Sequence, residues 1–179
     1  VKFFDIYEQD KVKFYKNIRD IKDIIKNTNF INGKNVFNFE KNFAKFCNTK
    51  YAVGCNSGSD ALFLSLKSLN LKKNSEVIIP AQTYCSTLFA VLRADLKPVL
   101  VDIQDSNPTL SIRDLKKKIT KKTSAIIIVH LYGECCNFKE IKEIVRSKKI
   151  HIIEDAAQAH GARDFSSNKK GLLAGSMGI

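Results

Sequence analysis

Between Tyr7 and Lys26 the apolar residues Val12, Tyr15, Ile18, Ile21, Ile24 and Ile25 recur at helical spacing, which predicts an amphipathic helix. The run NVFNFEKNFAKFC places Val36, Phe39, Phe43 and Phe46 on one face, so a second helix should follow the loop TNFINGK. From Tyr51 the register changes. Short apolar runs now alternate with helical segments: AVGC then SDALFLSLKSL, EVIIP then STLFAVLRA, KPVLVDI then SIRDLKKKI, SAIIIVH then FKEIKEIVRSK, and finally HIIED. Runs that are apolar on both faces and separated by helices predict strands buried in a mainly parallel sheet covered by helices on both sides. The expected fold class is therefore α/β, with three α/β/α layers. In such a sheet ligands bind beyond the carboxyl ends of the strands, so candidate chemistry is to be sought there.

Three strand ends carry residues of interest. In GCNSGSDALFLSL, from Gly54 to Leu66, a strand runs through a Ser-Gly-Ser turn into a helix. Backbone N–H groups at a helix N-terminus attract anions, and Gly58 lets a phosphate approach, with Ser57 or Ser59 as further donors. A serine N-cap is the simpler reading of the same residues. The stretch matches neither the dinucleotide nor the nucleoside-triphosphate glycine pattern. In PAQTYCST, Tyr84 offers a face on which a flat ring can stack, or simply packs. In HIIEDAAQAHGA, Asp155 ends a buried run, where a carboxylate is costly unless donors or a cation meet it. A helix beginning at Ala156 would supply such donors, and so would a ligand carrying an N–H⁺ group. Gln158 lies three residues on, in reach of the same ligand. Of the histidines, His151 opens a strand and reads as packing or surface. His130 and His160 sit near strand ends, where a structural role is the default.

Composition narrows the class. With 179 residues, 44% of them hydrophobic, the chain suits one domain with a sizeable core. No stretch reaches the roughly 18 uncharged apolar residues of a membrane helix, and VKFFDIYEQD has acids where a signal peptide would be apolar. Five cysteines without a C-x-x-C pair suggest neither a disulfide framework nor a zinc site, and reduced thiols fit a cytoplasmic location. The net charge of +12 comes mostly from lysine. Its densest cluster, DLKKKITKKTS, has no arginine or aromatic residue within it, which argues against a nucleic-acid partner. The chain begins at Val1, has its only methionine at Met177 and stops just after GLLAGSMGI, so it reads as cut at both ends.

Together, a phosphate cradle, a stacking face and a carboxylate beside an amide are the parts needed to hold pyridoxal phosphate. The runs that carry them, NFINGKNVFNFEKNFAKFCNTKYAVGCNSGSDAL, EVIIPAQTYCST, ADLKPVLVDI, VHLYG and IIEDAAQAHGA, follow one another as in the DegT/StrS-type sugar aminotransferases, which the chain resembles over essentially its whole length. The resemblance implies the aspartate-aminotransferase fold, pyridoxal phosphate as cofactor, and transfer of an amino group, usually from glutamate, to a nucleotide-linked keto-sugar. It implies that Gly58 and Ser59 bind the phosphate, Tyr84 stacks on the ring, Asp155 pairs with the pyridine nitrogen and Gln158 meets the ring hydroxyl. It also implies a homodimer, with residues 1–50 as N-terminal helices and a loop, and residues 51–179 as part of the cofactor-binding large domain. The lysine that anchors the cofactor in this family would follow Ile179; Lys169 and Lys170 do not match it. The chain alone is therefore expected to be inactive. A deoxysugar dehydratase using histidine in place of that lysine, and a non-catalytic regulatory or binding module, are the alternative expectations.

Overall fold

The structure is a computed structural model and describes residues 5–178. The two chain ends, Val1 and Ile179, lie outside the described residues. Two helices lead, α1 (Ile6–Lys26) and α2 (Lys34–Cys47), followed by α3 (Gly58–Ser68). Strands and helices then alternate: β1 (Glu76–Pro80), α4 (Cys85–Arg93), β2 (Lys97–Val101), α5 (Ile112–Lys118), β3 (Thr123–Val129), α6 (Phe138–Val145) and β4 (His151–Asp155). A short antiparallel pair, β5 (Arg163–Asp164) and β6 (Leu172–Leu173), closes the described chain.

The four long strands form a parallel sheet in the order β2-β1-β3-β4, as the doubly apolar runs predict. Side chains alternate across it. Ile78, Ile126, Ile128 and Ile152 face Leu115 of α5 and Phe138, Ile141 and Val145 of α6. Val77, Ile79, Ala125, Ile127 and Val129 face Leu62 and Leu66 of α3 and Ala90 and Val91 of α4. Each layer removes one face of the sheet from water, which gives the three-layer α/β/α arrangement. The path from β1 goes outward to β2 and then returns past β1 to β3. A crevice therefore opens between the carboxyl ends of β1 and β3, at the point where the strand order reverses.

One expected strand is absent. Residues 51–57, which include AVGC, form no strand, because no described strand lies beside them and both Tyr51 and Val53 are exposed. Among the described residues their one long-range polar tie is Gly54 N–H donating to Glu40 Oε1 of α2 at 2.7 Å. The apolar row of α1 is likewise uncovered within the described residues: Val12, Tyr15, Ile18, Ile21 and Ile25 are all exposed, Val12 at 95%.

A carboxylate holds the end of β4. Glu154 Oε2 accepts from His130 Nε2 at 3.1 Å and from Gly175 N–H at 2.8 Å, while Oε1 accepts from the N–H groups of Met177 and Gly178. His130 Nδ1 accepts from Cys136 N–H at 3.1 Å, which puts the ring proton on Nε2, aimed at Glu154. Burial pushes the Glu154 pKa up, but the hydrogen bonds from His130 and from the backbone N–H groups of Gly175, Gly178 and Met177 outweigh it and hold the group below the ordinary carboxylate value. A lowered folded-state pKa stabilises the fold at all pH above the ordinary value near 4.5, and that contribution is lost as pH falls through the folded value. Glu154→Gln is expected to flatten this acid limb of the stability curve in urea unfolding. Glu154→Ala, which leaves the buried His130 and Met177 donors without an acceptor, should cost roughly 2–4 kcal/mol. An unchanged acid limb in Glu154→Gln would show that the carboxylate is not the clasp described.

Candidate functional site

The crevice at the carboxyl ends of the strands is a cleft of about 230 Å³, and Gly58, Ser59, Tyr84, Asp155 and Gln158 all line it. Leu62, Val129, Leu131 and Ala157 form its apolar walls, and Thr83 and Ser86 add hydroxyls. The sheet brings these together because β1 leads into Thr83, Tyr84 and Ser86, β3 into Leu131, and β4 into Asp155 and the turn after it. The register pairs Val129 with Asp155, so the two stand level at the rim.

At α3 the N-cap reading of the Ser-Gly-Ser turn holds for Ser57, whose Oγ accepts from Asp60 N–H at 3.2 Å. Capping therefore leaves Gly58 and Ser59 free to face the cleft. A side-chain carbon built on Gly58 would meet nothing within 4 Å, so the backbone is open to a close neighbour there. The N-terminus of α4 converges on the same place, and Ser59 and Ser86, the second residues of the two helices, lie with their hydroxyl oxygens 2.6 Å apart. The backbone N–H groups of Gly58, Ser59, Cys85 and Ser86 have no acceptor among the described residues. Two helix N-termini with unmet donors make an anion site that needs no cationic side chain. No Lys or Arg among the described residues lines the cleft. Arg93 is engaged elsewhere, 2.7 Å from Asp60 Oδ1 and 4.0 Å above the Phe63 ring, and together with Asn56 it holds the Asp60 carboxyl below its ordinary pKa.

At Asp155 one of the two explanations can be checked directly. No helix starts at Ala156; the chain turns instead, and Oδ1 accepts from Ala157 N–H at 3.2 Å. The helix explanation therefore does not hold: two successive turns follow β4, closed by Ala159 N–H to the Ala156 carbonyl and Ala162 N–H to the Ala159 carbonyl, and a single N–H reaches Asp155. Oδ2 has no donor among the described residues and stays accessible at the cleft. Gln158 is fixed from behind. Its Oε1 accepts from Tyr132 N–H at 2.8 Å, which leaves the NH₂ group as the end available to a ligand. Tyr132 reaches this position with φ +56° and ψ +21°, a left-handed conformation uncommon for a non-glycine residue. Tyr84 is 70% exposed at the mouth, so its ring is available to a ligand face rather than buried in packing.

The histidines divide as their sequence positions suggested. His130 is fully buried in the Glu154 clasp, His160 stands edge-on to Phe43 with centroids 6.0 Å apart, and His151 begins β4; none of them lines the cleft. Sequence reasoning overlooked Ser86, Thr83 and Glu154. The first two lie in the quoted PAQTYCST run but had no signal apart from Tyr84, and Glu154 was masked by the acid next to it.

The donor set could hold a molecule with an anionic group at the paired helix ends, a flat ring against Tyr84 and the apolar walls, and an N–H⁺ at Asp155. A family model described as the DegT/DnrJ/EryC1/StrS aminotransferase family matches residues 13–178. The dTDP-3-amino-3,4,6-trideoxy-alpha-D-glucose transaminase of Streptomyces venezuelae is 42% identical over 134 residues, covering 75% of this chain and 35% of that protein. The dTDP-3-amino-3,6-dideoxy-alpha-D-galactopyranose transaminase of Aneurinibacillus thermoaerophilus is 32% identical over 180 residues, covering 100% of this chain and 49% of that protein. Among solved structures, S. venezuelae DesV in complex with a ketimine intermediate superposes with a TM-score of 0.88 at 36% identity, covering 93% of this chain and 45% of that one. E. coli GDP-4-keto-6-deoxy-D-mannose-3-dehydratase with bound hydrated PLP gives 0.81 at 30% identity, covering 100% and 44%. The chain thus spans half or less of the length of these relatives.

Because Asp155 makes one exposed hydrogen bond while Glu154 makes four, their roles should separate on substitution. Asp155→Asn is expected to change stability by less than about 1 kcal/mol in urea unfolding. A loss comparable to that of Glu154→Ala would make Asp155 part of the fold's support instead.

Proposed function

Because the chain belongs to the DegT/DnrJ/EryC1/StrS aminotransferase family, we propose that it forms the cofactor-holding part of a pyridoxal-phosphate enzyme that aminates a nucleotide-linked keto-sugar, with glutamate as amino donor. The observation that carries this reading is the convergence of Gly58, Ser59, Tyr84, Asp155 and Gln158 on one cleft at the carboxyl ends of the sheet. Residues 51–179 are assigned to the large domain and residues 1–50 to the leading helices and their loop.

Bound in this cleft, pyridoxal phosphate would supply a protonated ring that takes up the electron pair released when a C–H bond beside its amine nitrogen breaks. The residues of this chain hold and polarise. The N–H groups of Gly58 and Ser59, with the positive end of α3, receive the phosphate. Asp155 Oδ2 faces the ring nitrogen and keeps its proton in place, since a neighbouring carboxylate favours the charged form. The Gln158 NH₂ donates to the ring oxygen, and Tyr84 covers one ring face. No lysine lines the cleft among the described residues; the part proposed for residues 1–179 is to hold the cofactor.

The uncovered apolar residues of α1 and α2, among them Tyr15, Ile18, Phe37 and Phe39, suit contact with a second copy in a homodimer. Dehydration of a deoxysugar is the second reading, favoured by the likeness to the E. coli dehydratase. The two are separated by supplying the intact protein with cofactor, glutamate and a nucleoside-diphosphate keto-hexose. Amination yields an amino-sugar and one 2-oxoglutarate per sugar; loss of a sugar hydroxyl without nitrogen in the product contradicts it.

Asp155→Asn is expected to weaken pyridoxal-phosphate affinity about 10- to 100-fold, the worth of one charge-assisted hydrogen bond, as measured by equilibrium dialysis. Unchanged affinity would remove Asp155 from the site.

A further inference from the structure

The hydroxyls that line the cleft are not equivalent. Thr83 Oγ1 is committed to Thr87 Oγ1 at 2.9 Å, and Thr87 is fully buried, so that pair serves the packing of α4. Ser59 and Ser86 instead face each other across the two helix ends at 2.6 Å, and both border the cleft. Within the pair only one proton is used. If Ser86 donates to Ser59 Oγ, the Ser59 proton is left for an acceptor in the cleft; if Ser59 donates to Ser86, its proton is withdrawn from that acceptor. An anion seated at the N-terminus of α3, against Gly58 and Ser59, selects the first arrangement, because an oxygen bearing negative charge beside Ser59 is a stronger acceptor of its proton than the Ser86 hydroxyl.

We propose that Ser86 is a positioning residue for Ser59. It donates its hydroxyl proton to Ser59 Oγ and so fixes the Ser59 hydroxyl to donate to the phosphate of the cofactor. This inference rests on the reading of the cleft as a pyridoxal-phosphate site. It adds α4, through a residue that the Gly58-Ser59 motif does not contain, to the anchoring of the anion. Among the described residues no cationic side chain lines the cleft to do the same work, so the orientation of the few neutral donors matters more.

The test uses the intact protein with pyridoxamine phosphate and pyridoxamine, two probes that differ only in the phosphate and are held without a covalent bond. Ser86→Ala is expected to weaken pyridoxamine phosphate about 5- to 10-fold, as for one neutral hydrogen bond, and to leave pyridoxamine unchanged. Ser86→Thr, which keeps the hydroxyl, should bind nearly as wild type. In a Ser59→Ala background, Ser86→Ala should add little, because its effect passes through Ser59. A purely structural role would weaken both probes together and would persist in that background, and either result overturns the proposal. Equal affinity of wild type and Ser86→Ala for pyridoxamine phosphate overturns it as well, while leaving the site reading intact. Failure of the wild-type protein to bind pyridoxamine phosphate overturns the site reading itself, and this role with it.

Discussion

The Glu154 carboxylate is the interaction on which the ligand-facing end of the sheet depends. It gathers four donors, from His130 and from the backbone of Gly175, Met177 and Gly178, at the last turn of the pleat before the cleft. His130 binds the same strand end twice, through its ring to Glu154 and through its backbone N–H to the Asp155 carbonyl at 3.1 Å. β3 and β4 are thereby locked together where their side chains begin to diverge. Adjacent residues of a strand point to opposite faces. With Glu154 fixed among the loop that follows β6, Asp155 is turned to the other side, and its rotation about the strand is no longer free.

The division of labour between these two acids follows from partners rather than from residue type. Glu154 is saturated and nearly buried, with 5% of its side chain exposed, and its charge is spent on holding backbone. Asp155 has one weak backbone donor and an oxygen left over. The same contrast recurs at α3, where Ser57 is consumed by capping and its neighbours Gly58 and Ser59 are not. At Gln158 the carbonyl end is used by Tyr132 and the amide end is available. In each case one group builds the frame and the next group along presents itself to the cleft.

Much of this was legible in the sequence. The doubly apolar runs EVIIP, SAIIIVH and HIIED predict buried parallel strands because only a sheet covered on both sides hides them, and the cleft then follows from topology. The positions of Tyr84, Asp155 and Gln158 just past strand ends were legible for the same reason, whereas Gly58 and Ser59 follow no strand and were legible only from the Ser-Gly-Ser turn into α3. Other features were not. AVGC reads as a strand by its apolar character, but a strand also needs a neighbour to pair with, which local pattern cannot supply. The β5 and β6 pair is two residues per strand, too short to leave a periodic signal. Glu154 and Ser86 acquire their partners across 24 and 27 residues of chain, so nothing next to them announces those partners.

The central claim is that Asp155 keeps a ligand's ring nitrogen protonated in this cleft. The most direct measurement is nitrogen NMR of pyridoxamine phosphate, labelled at the ring nitrogen and bound to the intact protein, followed as pH is raised. The account predicts a protonated ring nitrogen at pH values where the free compound has lost its proton, and loss of that protection in Asp155→Ala. A bound ring that titrates like the free compound, or protection that survives Asp155→Ala, would contradict it.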